Sequence, residues 1–286
     1  DETAPSAPSS LTTTATSTND NTPTITGSAE AGSTVKLYSA STGLLGSATA
    51  DSDGAFSITS STLSDGSYSL LATATDSASN TSSYSSSLSI NVDTTTPTIS
   101  SFSPTDNATA VATTSNIVLN FSEAVDVETG NIVIYKASDN SVVETIDVTS
   151  SQVTGTGSTQ ITINPSSDLE EQTQYYVQIA ATAFDDSFSN SYAGISDTTT
   201  LSFTTADETN PSLSSSSPAD NATAIATTSN IVLNFSEAVD VETGNIVIYK
   251  SSDDSVVETI DVTSSQVTGT GSTQITINPS SDLEEQ

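Results

Sequence analysis

Carboxylates carry almost all of the side-chain chemistry that this sequence can offer. Its 286 residues include 35 Asp and Glu residues but no His and no Cys. The sequence therefore cannot form a catalytic triad with an imidazole base, and it cannot supply a thiolate nucleophile. A zinc site with His ligands is also impossible. Paired carboxylates can hydrolyse glycosides, but Glu170 with Glu171, and Glu123 with Asp126, fall on predicted loops without an aromatic platform. We predict ordinary solvated carboxylates there, and a protein that is not an enzyme.

Calcium is the ligand that best suits these oxygen-rich segments. Ca²⁺ takes six to eight hard oxygens from carboxylates, amides and backbone carbonyls. Ten residues from well-separated segments are candidate ligands, and an alternative is that Asp and Asn only bend and cap turns there. In three sets, the candidates are Asp1, Asp76 and Asn80; Asp93, Glu123, Asp126, Asp185 and Asp186; and Asp207 and Glu237. Residues 51–54 open like an EF-hand loop, but no Glu follows at the twelfth position, so a plain hairpin turn is predicted.

The elements that must position these acids are short β-strands. Apolar and polar side chains alternate in three segments, at residues 116–121, 160–164 and 173–179. In a strand this alternation points Ile117, Ile161 and Val177 towards the core, together with the apolar residues two positions away from each. Residues 131–136, 142–148 and 201–203 are further strands. Seven or so strands in about 110 residues, without a helical period, predict an antiparallel β-sandwich. Earlier in the chain, strands are predicted at 22–27, 33–38, 46–50, 54–58, 67–74 and 87–92, with tight hairpin turns at the Asp-Gly pairs 53–54 and 65–66.

The chain also repeats itself at the scale of a whole domain. Residues 221–286 copy residues 107–172 at a fixed offset of 114 with three differences, at positions 111/225, 137/251 and 140/254. A pattern Asp-x-Thr-x-Pro begins at Asp1, Asp93 and Asp207, and the proline suits a linker that enters an edge strand. We predict domains at 1–92, 93–206 and 207–286. The last one is incomplete because it lacks counterparts of Tyr175–Ile179 and of residues 201–203, and we expect the chain to be part of a longer protein.

Several segments of the sequence resemble bacterial Ig-like domains. Residues 27–35, 48–56, 65–70 and 72–80 resemble, in order, an Ig-like repeat of large surface adhesins. Residues 103–107, 117–125 and 130–134, with their copies near 217–248, resemble a second bacterial Ig-like family. The resemblance implies all-β, tandem Ig-like sandwiches in an extracellular protein. In such a sandwich the chain entry, the B–C loop and the F–G loop share one end, so each of the three candidate sets is expected to converge near a domain junction.

Net charge limits the partners of this chain. Against 35 acids there are 3 Lys and Arg residues, which gives a formal charge of −32. Such a chain cannot neutralise phosphates, so nucleic acids and anionic membrane surfaces are excluded as partners. No apolar run has transmembrane length, so we expect no direct membrane insertion. The extreme charge also keeps a protein soluble in a salty medium, whether or not cations bind.

These observations predict a structural stalk. We expect a spacer segment of a large bacterial surface protein, located outside the cell and stiffened by Ca²⁺ at the domain junctions. Its expected partners are the neighbouring Ig-like domains of the same chain, with homotypic or filament contacts also possible. Two alternatives stay open: a module that binds glycans or proteins, and an accessory spacer of a secreted enzyme.

Overall fold

The computed structural model of the protein describes residues 2–280 and residue 283. All regular elements in this part of the chain are β-strands, which confirms the predicted all-β fold. The strands belong to two compact units, residues 1–207 and 208–286. The first unit contains two separate hydrophobic cores, one within residues 1–92 and one within residues 93–206.

The first domain is a sandwich of a three-stranded and a five-stranded sheet. Its eight strands are β1 (Ser9–Thr12), β2 (Ser17–Thr18), β3 (Thr24–Ser28), β4 (Thr34–Ser39), β5 (Gly43–Thr49), β6 (Ala55–Thr59), β7 (Gly66–Thr75) and β8 (Leu88–Val92). One sheet has the order β1-β3-β6 and the other β2-β8-β7-β4-β5. All pairs are antiparallel except β2–β8. Alternating side chains such as Ile25, Val35, Leu37 and Leu70 are fully buried between the sheets, as period-two strands require.

Neither Asp-Gly pair makes the hairpin turn that its sequence predicts. The turn at 53–54 leads from β5 to β6, and the turn at 65–66 leads from β6 to β7, and in both cases the two strands lie in different sheets. The prediction was wrong because the Asp-Gly signal reports a local reversal of the backbone. Whether the reversed strands then pair depends on tertiary packing, which here sends the chain across to the opposite sheet.

The second domain has ten strands, more than the seven or so that the sequence predicts. They are β9 (Ile99–Ser103), β10 (Ala108–Val111), β11 (Ile117–Val127), β12 (Asn131–Lys136), β13 (Val142–Asp147), β14 (Val153–Thr154), β15 (Ser158–Ile163), β16 (Gln174–Ile179), β17 (Phe184–Asp185) and β18 (Ser202–Thr205). One sheet has the order β10-β18-β16-β12-β13, with β10–β18 parallel. The other has the order β14-β15-β11-β17, with β9 also paired to β11. The unexpected strands are short or rich in Ser, so they lack apolar alternation.

The core of the second domain follows the predicted strand faces. Ile117, Leu119, Ile161 and Ile163 are fully buried. From the facing sheet, Tyr175, Val177, Ile179, Leu201 and Phe203 are each at most 3% exposed. Period-two alternation therefore predicted the inward faces correctly.

The second unit has six described strands, which correspond to β9 and to β11 to β15 of the second domain. Its strands are β19 (Leu213–Ser217), β20 (Ile231–Val239), β21 (Asn245–Tyr249), β22 (Val256–Asp261), β23 (Val267–Thr268) and β24 (Ser272–Ile277). One sheet has the order β19-β20-β24-β23, and β21 pairs with β22 alone in the described part of the chain. Its buried core contains Ile260, Ile275 and Ile277, while Ile231, Leu233 and Phe235 are only partly buried.

Candidate metal centre

Three carboxylates from separate parts of the chain meet where the first domain joins the second. Asp93, Glu123 and Asp186 each place one carboxylate oxygen within 4.8 Å of the other two. Asp93 and Glu123 are half-buried and Asp186 is 5% exposed. The three residues come from the linker, from the middle of β11 and from the loop after β17, so the tertiary fold brings them together.

Backbone hydrogen bonds fix Asp93 at the start of the linker. Asp93 directly follows β8, and its N–H donates to the carbonyl of Thr18 (3.1 Å). Its side chain accepts the N–H of Thr95 (2.9 Å), and its carbonyl accepts the Nδ2–H of Asn190 (2.9 Å). The linker residue is therefore held by both domains.

Glu123 lies at an irregular point of β11. The register of β11 against β15 shifts between Asn120 and Val125, which is the signature of a bulge. Next to it, Ser122 exchanges hydrogen bonds with Thr98, through backbone N–H to carbonyl (2.8 Å) and from the Thr98 N–H to Oγ (3.0 Å). A bulge redirects side chains, and here Glu123 lies at the junction with Asp93 and Asp186.

Asp186 is the anchor of a tight loop with Asn190. Its Oδ1 accepts the N–H groups of Phe188 and Asn190 (both 2.8 Å), and its Oδ2 accepts the Nδ2–H of Asn190 (2.9 Å). The same Asn190 amide reaches the Asp93 carbonyl. This loop therefore links the buried acid of the second domain to the linker.

Repulsion and burial act together on Glu123. Burial and the negative charges of Asp186 and Asp93 raise the pKa of the Glu123 carboxyl. A group whose folded-state pKa is raised gives up stability as the pH rises through that pKa, so ionised Glu123 weakens the folded state near neutral pH. A cation among the three carboxylates would remove this penalty. The chain has only 3 basic residues, and one of them, Lys136, pairs with Glu170 at 2.6 Å.

Direct hydrogen bonds also join the two domains around the acidic group. Asp65, at the end of the first domain, accepts the N–H and hydroxyl of Thr94 (2.9 and 2.8 Å) and the hydroxyl of Thr95 (2.7 Å). These bonds, with that from Thr95 foremost, lower the pKa of Asp65. Asn19 donates from Nδ2 to the carbonyl of Ser189 (2.9 Å). A cleft beside the three acids is lined from both domains, by Asp65, Ser67 and Asn91 and by Ser122, Glu123 and Phe188.

Asp126 and Asp185 do not belong to the three-carboxylate group. They lie opposite each other where β11 pairs with β17. Asp126 is exposed and accepts the hydroxyl of Thr156 (3.2 Å). Burial, followed by the charge of Glu128, raises the pKa of Asp185. β11 continues past Glu123, so Asp126 lies further along the strand, next to the hairpin between β14 and β15. These two acids therefore lie beside the three-carboxylate group.

The first domain has a loop of the same construction at its other end. Asp76 accepts the N–H groups of Ala78 (2.9 Å) and Asn80 (2.8 Å) and the Nδ2–H of Asn80 (2.9 Å). The hydrogen bond from the Asn80 side chain is the main cause of the lowered pKa of Asp76. The third expected member of this set, Asp1, lies outside the described residues.

The remaining candidates are placed in different units. Asp207 ends the first unit, where it is exposed and accepts a hydrogen bond from Nε2 of Gln172. Glu237 is half-buried in β20 of the second unit. The EF-hand-like residues form a turn, in which Oδ1 of Asp51 accepts the N–H groups of Asp53 (2.9 Å) and Ala55 (2.8 Å).

Two residues of the junction escaped the sequence reasoning. Asn190 is buried, and its side chain donates hydrogen bonds to both Asp93 and Asp186. Asp65 accepts hydrogen bonds from Thr94 and Thr95 of the linker. A signal for Asn190 exists in the sequence, because Asp-Ser-x-Ser-Asn occurs at residues 76–80 and again at 186–190. Asp65 carries no comparable signal, since Asp-Gly pairs are common in turns of every kind.

The strands, cores and junction define a class of protein, a tandem array of β-sandwiches in which a short hydrogen-bonded linker joins the first two. The sequence identifies the families. Residues 93–205 and 207–286 match one family described as bacterial Ig-like domain, and residues 3–94 match a second family with the same description. The chain therefore belongs to the bacterial Ig-like domain families, as the resemblance indicated. Domains of this kind are typically non-enzymatic.

Three solved structures show low similarity to this chain. A biofilm-associated protein (BSP domain) is 19% identical over 71% of this chain, with a TM-score of 0.22, and this chain spans 30% of its length. The fibronectin(III)-like modules of Clostridium thermocellum CbhA are 16% identical, with 69% of this chain and 94% of theirs covered and a TM-score of 0.26. A two-domain fibronectin type-III segment of chicken tenascin is 12% identical, with coverages of 66% and 97% and a TM-score of 0.25.

Two further searches gave negative results. No curated protein matches the sequence. Among the described residues, no helix is both long enough and apolar enough to cross a membrane.

Proposed function

We propose that this chain is a stalk segment of a bacterial surface protein, outside the cell, and that Ca²⁺ stiffens its first domain junction. The proposed ligands are Asp93, Glu123 and Asp186. Their convergence within 4.8 Å is the observation that carries the proposal. Three ionised carboxylates at that spacing repel one another, and a hard divalent cation with oxygen ligands is the partner that relieves the repulsion.

The linker makes the junction a good place for such a cation. The linker is a few residues long and begins with Asp93, whereas Glu123 and Asp186 belong to the second domain. Existing bonds from Asp65, Asn19 and Asn190 already hold the two domains in one arrangement. A cation bound to the linker and to two elements of the second domain would add to these bonds and restrict bending. In a stalk, such restriction sets how far a distal part is held from the cell.

The other candidate ligands belong to the same proposal at the neighbouring junctions. Asp76 and Asn80, with Asp1, would serve the entry to the first domain. The neighbouring domains of the chain would be the partners in each case. Asp126 and Asp185 would supply charge next to the first junction and attract the cation without binding it directly.

Calcium titration of the whole chain tests this function. At ten times Kd, a single site adds about 1.4 kcal/mol to the stability of the folded state, or roughly 5 °C in Tm for a domain of this size. Small-angle scattering should show a longer, less bent particle in CaCl2 than in chelator. Glu123→Gln should reduce both responses at the first junction and should raise the Tm in chelator, because it removes one repelling charge.

Glu30→Gln is the matched control, since it makes the same chemical change at an exposed position of the first domain. It should leave both calcium responses unchanged. Scattering profiles and melting curves that are the same in calcium and in chelator would rule out the calcium site, and would leave the stalk to be stiffened by its hydrogen bonds alone.

A further inference from the structure

The cleft at the first domain junction has a lining that the stalk role alone does not require. Its volume is about 600 Å³, within the range of about 300–1,000 Å³ in which small-molecule sites fall, and such sites occur preferentially at domain interfaces. Asp93 and Glu123 lie on its wall, whereas Asp186 does not line it. A cation held by the three carboxylates would therefore have one side towards the cleft.

The three carboxylates cannot surround Ca²⁺ by themselves. Asp186 already accepts three N–H groups, two at Oδ1 and one at Oδ2, out of the roughly four that a carboxylate can accept. It can therefore offer a cation little more than one lone pair. With at most two oxygens each from Asp93 and Glu123, the group supplies about five of the six to eight oxygens that Ca²⁺ takes. Further oxygens have to reach the cation, and the cleft is the side from which a ligand can supply them.

Phe188 gives the cleft an aromatic wall that its own loop does not need. The loop at residues 186–190 shares its pattern and its hydrogen bonds with the loop at residues 76–80. In that other loop, Ala78 stands at the position of Phe188. The phenyl ring is half-exposed and lines the cleft. The geometry of the loop therefore does not account for an aromatic residue here, whereas a ligand with an apolar face would.

Hydroxyl and amide side chains from both domains complete the lining. Ser67 and Asn91 come from the first domain and Ser122 from the second, and all three are exposed. Ser67 donates its hydroxyl to Oδ1 of Asn91 (2.5 Å), which orients the Asn91 amide. A cation that accepts oxygen ligands, one aromatic face and a few polar groups together suit a sugar. Its hydroxyls can bind the cation and the polar groups, while the C–H face of its ring packs on the aromatic side chain.

The charge of the site selects a neutral ligand. Three ionised carboxylates outweigh the two positive charges of Ca²⁺, and Asp65 adds another acid to the wall of the cleft. The chain as a whole carries a formal charge of −32. Phosphate, sulfate and uronic acid groups are therefore repelled, and ammonium groups would compete with the cation for the carboxylates. Neutral hydroxyls remain, and two of them on neighbouring carbons supply two oxygens at once.

We propose that this cleft binds a neutral glycan, with two vicinal hydroxyls of one sugar as ligands of Ca²⁺ and the sugar ring packed on Phe188. This role rests on the proposed function, because the glycan binds a cation held by Asp93, Glu123 and Asp186. The junction then has a second role, in which the cation that stiffens the stalk also holds a ligand. Since the glycan contacts side chains of both domains, its binding should favour the arrangement in which the domains meet.

A glycan array probed with the labelled full 286-residue chain tests this role. Many copies of each glycan on the surface allow weak single-site binding to be detected. In CaCl2 the chain should bind neutral glycans whose terminal sugar has vicinal hydroxyls, and it should release them in chelator. The terminal monosaccharide of the strongest hit is then titrated in solution by calorimetry. Its analogue with one of the two hydroxyls replaced by hydrogen should bind at least about tenfold more weakly.

Variants at Phe188 show where the sugar binds. Phe188→Ala should weaken the monosaccharide about three- to tenfold, while the rise in Tm in calcium stays, because Phe188 is not a proposed ligand of the cation. Phe188→Tyr keeps the aromatic ring and should retain binding. Tyr84→Ala is the matched control, since Tyr84 is 58% exposed in the first domain and does not line the cleft. It should leave both the calcium response and the binding of the monosaccharide unchanged.

The outcomes separate glycan binding from the calcium function itself. Identical melting and scattering in calcium and in chelator would remove both. A calcium response without any bound glycan would overturn the glycan site alone, as would glycan binding that persists in chelator. Loss of the calcium response in Phe188→Ala would also overturn it, since Phe188 would then hold the junction together instead of facing a ligand.

Discussion

Two aspartates with the same hydrogen bonds differ in their surroundings. Asp76 and Asp186 each accept two backbone N–H groups and one Asn side chain, in loops that share the pattern Asp-Ser-x-Ser-Asn. Asp186 is 5% exposed and lies against Asp93 and Glu123, whereas Asp76 is half-buried. The loop geometry is therefore a property of the local sequence, and the capacity to hold a cation comes from neighbours elsewhere in the chain.

Replacement of each aspartate by alanine should separate these two contributions. Asp186→Ala leaves two amides and the Asn190 side chain without their acceptor in a buried site, so we expect the second domain to lose at least about 2 kcal/mol of stability. Asp76→Ala should destabilise the first domain less, because water can reach the loop and replace the carboxylate. Denaturant-dependent hydrogen exchange, read at core amides of each domain, measures both. Equal losses would show that burial of Asp186 does not govern the strength of its bonds.

The candidate centre was predictable from the sequence only in part. The assumption that chain entry and two loops share one end of a sandwich placed Asp93, Glu123 and Asp186 in one set, and the structure brings these three together. Their role as calcium ligands stays a prediction. Asp126 and Asp185 were assigned to the same set because they are adjacent in sequence, but a strand turns alternate side chains to opposite faces. Asn190 was missed although its loop repeats the pattern of residues 76–80, because its bond to the Asp93 carbonyl is visible only in three dimensions.

The hairpin between β14 and β15 shows how one element constrains its residues. Val153 and Thr154 pair with Ile163 and Thr162, and the hairpin between the strands contains Gly155 and Gly157. Gly155 has φ +105°, and a Cβ there would lie 2.1 Å from the carbonyl oxygen of Gln160. Gly157 has φ +75°, and the nearest atom to a Cβ would be Oδ1 of Asp126 at 3.7 Å. Both positions favour glycine, but only the first also lacks space.

Alanine at these two positions should therefore give unequal losses. Gly155→Ala combines backbone strain with a clash against main chain that cannot move alone, and we expect about 2–4 kcal/mol of destabilisation in the second domain. Gly157→Ala carries only the strain of a positive φ, about 1–2 kcal/mol. Scanning calorimetry of the whole chain should show the transition of the second domain shifting further for Gly155→Ala. A larger shift for Gly157→Ala would contradict the geometry of this hairpin.

At the scale of elements, the sequence was most informative where strands alternate and are buried on one face. Residues 117–121, 161–163 and 175–179 were predicted with their inward sides correct. The strands β9 and β10 were missed, since Ile99–Ser103 is mostly Ser and Ala108–Val111 is exposed along much of its length. Such edge strands are held by the ladder they join and have little apolar periodicity of their own.

At the scale of the whole molecule, near-identical sequences occupy two environments. Residues 131–136 are identical to residues 245–250. In the second domain this strand has a partner on each edge, and its Ile132 and Ile134 are fully buried. Among the described residues of the second unit it pairs with β22, and Ile246 and Ile248 are half-buried. Local propensity is the same in both copies, so any difference in stability between them must come from tertiary contacts.

Hydrogen exchange on the whole chain can measure the difference in stability between β12 and β21. Equivalent amides of the two copies have nearly the same intrinsic exchange rates, so a difference in measured rate reports their tertiary environment. We expect the amides of Val133 and Tyr135 to be protected to the level of global unfolding of the second domain, since their N–H groups bond to β16. Those of Val247 and Tyr249 should exchange many-fold faster, because no strand in the described part of the second unit pairs with the edge that they face. The amides of Ile161 and Ile275 serve as an internal control, since β15 and β24 keep equivalent ladders in both copies and should differ less. Equal protection of β12 and β21 would mean that the second unit closes its sheet in a way that the paired strands do not show.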